Sequence, residues 1–201
     1  MGFLENTRKP VGLGGAIMVS MMNLGHLPVA RWGLRFLPLM PDAKVLDCGC
    51  GGGANLKRLL KKCPKGLVFG IDYSLVSVKK AEKVNAAAIR EGRCAVHQCD
   101  VADMGFANDS FDAVTAFETV YFWPDLPQSF RAVRRVLKPG GTFLICNECS
   151  GDAAHDGVWT KLIGGMTIYR DTELEACLRQ AGFHAVQIHK KNGWLCVMAR
   201  K

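Results

Sequence analysis

Residues 45–60 read Val-Leu-Asp-Cys-Gly-Cys-Gly-Gly-Gly-Ala-Asn-Leu-Lys-Arg-Leu-Leu. An apolar run passes through glycines and cysteines into a segment with apolar residues at helical spacing. Glycine loses more conformational freedom on folding than any other residue. Spending Gly49, Gly51, Gly52 and Gly53 in one turn therefore implies that something approaches this backbone closely. Gly49-Cys50-Gly51-Gly52-Gly53-Ala54 satisfies G-x-G-x-x-G/A after a strand and before a helix. A second apolar run ends at Asp72, placed to accept hydrogen bonds from ribose hydroxyls. The unit reads as a nucleoside-binding βαβ. At this level nicotinamide, flavin and adenosylmethionine ligands all remain open.

The chain around this unit alternates. Helical sequence over 12–40, with Pro38 and Pro41 at its end, precedes strand 44–49, helix 54–63, strand 67–72, helix 74–91 and strand 94–99. Strand 112–117, helix 126–137 and strand 141–147 follow, then a variable stretch over 149–169. Helix 172–181 and strands 184–189 and 194–200 close the chain. Ser74 is placed as an N-cap and Gly92 as a C-terminal stop. Thr172 and Glu175 have capping-box spacing, and Lys138 to Gly141 reads as a turn. Strands alternating with helices predict an α/β fold, a mostly parallel sheet covered on both faces. The last two strands, joined only through Lys190 to Gly193, predict a hairpin and thus an antiparallel strand. The expected organisation is one domain: an N-terminal helical lid (1–40), a donor-binding core (41–148), a variable substrate lid (149–170) and a C-terminal helix with hairpin (171–201).

Of the 201 residues, 49% are apolar and 22% charged, a globular composition, with net charge +8. That charge suits an anionic partner or simply solvated helical faces. The nine cysteines are odd in number and most sit in apolar runs, as at Cys99, Cys146 and Cys196. They predict reduced thiols and a cytoplasmic location. Cys48 with Cys50, and Cys146 with Cys149, lack the second matching pair of a structural zinc site, so no metal is expected. Residues 11–30 carry no formal charge. Four glycines, Asn23, His26 and Pro28 argue for a packed helix and turn there, not a stable membrane insertion, with membrane docking the alternative. Gly2 opens a partial myristoylation pattern that Asn6 breaks.

Four stretches in order carry a family resemblance: Val45–Gly53, Val68–Ser74 (VFGIDYS), His97–Val114 (HQCDVADMGFANDSFDAV) and Ala132–Gly141 (AVRRVLKPGG). Together they resemble the class I S-adenosylmethionine-dependent methyltransferases, especially the small-molecule and quinone-biosynthesis type, over roughly residues 40–150. Cys48 stands where that family usually has Ile, Val or Leu. The resemblance implies a Rossmann-like three-layer sandwich with a seven-stranded sheet. It also implies S-adenosyl-L-methionine as donor, S-adenosyl-L-homocysteine as product and methyl transfer to a small-molecule acceptor. Carried over by position, Asp47, Cys50, Asn55 and the backbone of Gly49 and Gly51 would hold the methionine end. Asp72 would bind the ribose, with Tyr73 against the adenine and Ser74 beside it. Asp100 would take the adenine amino group, with Val101 giving a backbone contact, and the Phe117 carbonyl would meet the donor ammonium.

Acceptor-side candidates come from three places. Glu118 to Trp123 follow the fourth strand, His26 and Trp32 lie in the N-terminal segment, and His155, Trp159, Met166 and Tyr169 in the variable stretch. Glu118, His26, Tyr121 and Tyr169 are the expected catalytic set, and Gly164-Gly165 would hinge a lid. Three rivals stand beside this reading: an RNA or protein methyltransferase, an NAD(P)-dependent reductase, and a protein that holds the donor without catalysis. Nucleic acid is the less expected partner, since no binding module is appended. A monomer or homodimer is expected.

Overall fold

A computed structural model describes residues 12–152 and 156–201 of the chain. The order is α1 (Gly12–Gly25), α2 (Leu27–Gly33), β1 (Lys44–Cys48), α3 (Ala54–Lys62), β2 (Leu67–Asp72), α4 (Leu75–Val84), α5 (Ala86–Arg90) and β3 (Cys94–Gln98). Then come β4 (Phe111–Phe117), α6 (Leu126–Val136), β5 (Leu137–Asn147), α7 (Asp156–Leu162), α8 (Asp171–Gln180), β6 (His184–Lys191) and β7 (Trp194–Arg200).

One seven-stranded sheet runs β3-β2-β1-β4-β5-β7-β6. All neighbours through β5 are parallel, and β7 is antiparallel to both β5 and β6. The predicted hairpin is present, and β7 lies inside the sheet while β6 takes the edge. Its turn carries Asn192 and Gly193, both at positive φ, the conformation two-residue hairpin turns favour. Exposed His184, Lys190 and Lys191 on β6 discourage further strand pairing.

Helices cover both faces because the central strands are apolar on both sides. One core layer joins Leu46, Val114, Phe143 and Ile145 to α6 and α8 through Phe130, Val133, Leu174 and Leu178. The other joins Val45, Leu144 and Cys146 to α2, α3 and α4 through Val29, Trp32, Leu56, Leu59 and Val78. Strand order reverses between β1 and β4, so a crevice opens at their carboxyl ends, where ligands of such sheets bind.

Several sequence expectations are corrected. The helix over 74–91 is two helices, divided at Asn85. That buried amide donates to Gly53 O (3.0 Å) and Ala81 O (2.9 Å), which draws it inward to brace the glycine loop. Lys138 to Gly141 is not a turn before a strand but a bulge inside β5: the register on β4 jumps from Phe111↔Leu137 to Ala113↔Thr142. Lys138 there binds Asp112, whose other oxygen accepts from Lys44 N. The cap of α8 lies two residues early: Glu173 accepts from Arg170 N (2.8 Å), not Glu175 from Thr172. Ser74 does cap α4. The variable stretch contains α7, which was not expected. The expected lid over 1–40 is in part core: α2 is buried, and Trp32 packs on Phe36 and Trp194 rather than facing an acceptor. Gly2, Asn6 and His155 lie outside the described residues.

Candidate active site

The glycine loop separates into distinct jobs. A Cβ on Gly49 (φ 74°) would stand 2.1 Å from Thr119 Oγ1, and one on Gly53 (φ 77°) 2.7 Å from Ala81 Cα. Those two glycines let the loop pack against the end of β4 and against α4. Gly51 (φ 51°) has no protein atom within 4 Å of its would-be Cβ. It faces open space on the cavity side.

That space is a cavity of about 340 Å³ at the β1/β4 reversal. Gly49, Cys50, Gly51, Asn55, Asp72, Tyr73, Asp100, Val101 and Phe117 line it together with His26 and Glu118. Thr119, Phe122 and Trp123, from the acceptor-side run after the fourth strand, share the same wall, and sequence reasoning missed Arg58 and Cys99 there. Trp123 serves wall and core at once, its Nε1 donating to Thr119 Oγ1 (3.2 Å) while its ring stacks with Phe143.

Asp72 is almost fully buried. Its two oxygens accept from Gly51 N (2.9 Å) and Ser74 N (2.8 Å), so it ties the glycine loop to the start of α4. Burial raises its pKa against those bonds. Asp47 lies behind the loop, away from the cavity wall. It accepts from Thr115 Oγ1 (2.6 Å), and burial pushes its pKa up to about 7. Ser74 is also behind the wall, as a cap. Asp100 accepts from Ala102 N through one oxygen (2.8 Å).

The second half of the cavity gathers groups far apart in sequence. Glu118 adopts a left-handed backbone (φ 57°), which is costly for a residue with a side chain. The turn brings its carboxylate to the end of β5, where it accepts from Glu148 N and from the Tyr121 hydroxyl. Tyr121 Oη in turn accepts from Cys149 N (3.0 Å), so the phenol locks Glu118 from behind. His26, Glu118 and Glu148 bring their ligand-type atoms within 4.8 Å of one another. Among the described residues this is the one cluster able to hold a metal ion, where the sequence suggested none. Burial first, then the neighbouring Glu148 charge, holds the Glu118 carboxyl well above its ordinary range. Burial also raises Glu148, and lowers His26 to about 4. Glu148 was invisible to sequence reading, since only the β4–β5 pairing places it. The structure does not bring Tyr169 to this wall. It packs, partly buried, beside the α6–α8 core layer.

A family profile described as "Methyltransferase domain" matches residues 46–145. Cycloartenol-C-24-methyltransferase 1 of Oryza sativa subsp. japonica is 29% identical over 159 residues, 75% of this chain and 46% of that protein. A ubiquinone/menaquinone biosynthesis C-methyltransferase of Geotalea daltonii is 29% identical over 57% of this chain and 49% of its own length. The chain thus spans about half the length of these curated relatives. Among solved structures, the putative methyltransferase of Haloferax volcanii, in complex with the Trm112 methyltransferase activator, superposes with a TM-score of 0.83 at 24% identity. The match covers 92% of this chain and 93% of that one.

Proposed function

From the premise that this chain belongs to the class I S-adenosylmethionine-dependent methyltransferases, we propose that it moves a methyl group from S-adenosyl-L-methionine to a small-molecule acceptor held beside Glu118 and His26. One observation carries the proposal: Gly51, with no protein atom against its would-be Cβ, and the acid–histidine group at Glu118 line the same cavity.

The donor supplies a methyl already activated on a sulfonium. The chain's part is to position and to manage protons. The Gly51 cradle, Cys50 and Asn55 hold the methionine end, and Asp47 supports them from behind, with full negative charge only above pH about 7. Asp72 accepts from Gly51 N, Ser74 N and the Ser77 hydroxyl, and a carboxylate's four lone-pair sites leave capacity for a ribose hydroxyl. Tyr73, about a third exposed at the wall, lies against the adenine. The free oxygen of Asp100, with the Val101 backbone, reads the adenine edge. The Phe117 carbonyl meets the ammonium.

On the acceptor side Glu118 accepts a proton from the acceptor, and Tyr121 positions it. His26, neutral over the physiological range, adds a second proton acceptor, a ring nitrogen. Phe122 and Trp123 exclude water. An acceptor that gives up a proton, or gains positive charge as it is methylated, suits two carboxyls this close. Nine unpaired thiols support a reducing, cytoplasmic setting. A monomer or homodimer is the working assembly, and light scattering separates it from a complex of the Haloferax kind.

The test is transfer of labelled methyl to a panel of phenols, amines and quinols, with the parent chain and Glu118→Gln. Turnover by the parent that rises with pH through a limb above the ordinary glutamate range, and collapses in the variant, is expected. Labelled donor bound with no acceptor turned over in any class would leave the non-catalytic reading standing.

A further inference from the structure

On the outer side of α3 lies a groove of about 550 Å³. Arg31 and Arg35 from α2 and the residues just after it, and Lys57, Arg58, Lys61 and Lys62 from α3, line it without one acidic side chain. None of these six has a carboxylate partner among the described residues. Burial, then the like charge of Arg31, lowers the Arg58 pKa against the pull of buried Asp47, and Arg58 Nη1 donates to the neutral Asn55 Oδ1 (2.6 Å). Such a groove presents concentrated positive charge to an anionic occupant.

The neighbouring element says which anion. Gly12–Gly25 carries no formal charge. The helix α1 buries Met18 and Val19 and packs against α4, yet leaves Ile17 and Met21, one turn apart, each more than half exposed. Leu27 and Val84, which close the groove, belong to the helix that follows α1 and to the helix α1 packs on. A nucleic acid would want aromatic rings to stack its bases, and no aromatic residue lines the groove. Apolar side chains beside a basic cleft are what an interfacial helix presents to lipid.

We propose that this face docks on an anionic bilayer surface, the six cations of the α2–α3 groove taking lipid phosphates and Ile17 and Met21 entering the acyl boundary. Ala54 and Arg58 line both the groove and the active-site cavity. A docked chain therefore holds its cavity at the membrane surface, in reach of a bilayer-dissolved acceptor. That last consequence rests on the methyltransferase reading; the docking itself does not.

The test is co-sedimentation of the full chain with vesicles of phosphatidylcholine alone and with roughly a third phosphatidylglycerol. Binding only to the anionic vesicles, weakened by salt, is expected. Each basic residue near such a surface contributes on the order of a factor of five in partitioning, so Lys57→Gln/Lys61→Gln/Lys62→Gln should weaken it roughly a hundredfold. Ile17→Asp/Met21→Asp should release the chain while leaving its circular dichroism and donor affinity unchanged. Ile17→Ser alone, with a smaller loss, serves if the double variant unfolds. Equal binding to neutral vesicles, no binding to anionic ones, or folded variants that bind like the parent would overturn the proposal. So would polyuridylate binding that depends on the lysines and ignores Ile17 and Met21, which would make the groove a nucleic-acid site.

Discussion

The two halves of the cavity are built by different means. The half proposed to hold the donor is local. Glycines, Asp72, Tyr73 and Asp100 come from the ends of β1, β2 and β3, and backbone geometry places them. The half proposed to hold the acceptor is assembled at long range. Glu118 ends β4, Glu148 follows β5, and His26 stands between α1 and α2, each held by a bond or packing contact from another element. The first half tolerates little change in backbone. The second tolerates little change in hydrogen bonding. Each half should therefore fail in its own way when altered.

The largest effect should come from Gly49→Ala. A Cβ 2.1 Å from Thr119 Oγ1, on a backbone at φ 74°, should destabilise the fold by about 3 kcal/mol or more. Thermal unfolding would read it. Gly51→Ala sharpens the contrast, because its Cβ meets no protein atom. Only the left-handed strain remains, about 1 kcal/mol, while donor affinity should fall by roughly a hundredfold. Equal destabilisation by both would mean that Gly51 serves packing too.

Glu118→Gln probes the other half. Turnover should drop by about two to four orders of magnitude, the usual contribution of a positioned base, with donor affinity nearly unchanged. Tyr121→Phe removes the hydroxyl that donates to Glu118. Its acid limb should move to higher pH as the Glu118 carboxylate loses that support, with turnover reduced less than in Glu118→Gln.

Asp47→Asn tests the electrostatics beneath the donor half. The folded pKa of Asp47, about 7, lies above its ordinary value of 3.8. The folded chain thus holds this proton more tightly than the unfolded one, and the stability so gained is lost as pH rises from about 4 to 7. The variant should match the parent at pH 4 and exceed it by roughly 1–3 kcal/mol at pH 8, measured by denaturant melts without donor. It should bind donor more weakly. Lys138→Met is the smallest change. It removes a half-exposed ion pair with Asp112, worth less than about 1 kcal/mol, and should leave both halves unaltered.

The same division explains what the sequence disclosed. The alternation of strands and helices, the glycine loop and Asp72 are local patterns, and the fold they predict is present. Within the loop, however, the sequence could not separate Gly51, which faces the cavity, from Gly49 and Gly53, which serve Thr119 and Ala81. Those contacts join residues distant along the chain. Asn85 broke a helix for a tertiary reason, its amide bracing Gly53. Trp32 and Tyr169 looked like site aromatics and are packing residues. Glu148 carries no motif. It is visible only once β4 and β5 are paired and Glu118 has turned into its unusual backbone conformation.

The most direct measurement is calorimetric titration of S-adenosylhomocysteine and NADPH into the parent chain, Asp72→Asn and Glu118→Gln. The account predicts micromolar binding of the adenosyl ligand to the parent and no binding of NADPH. It predicts at least about a tenfold loss in Asp72→Asn, where a charged hydrogen-bond acceptor is removed, and near-parent affinity in Glu118→Gln. Binding of NADPH alone, or an equal loss in both variants, would contradict it.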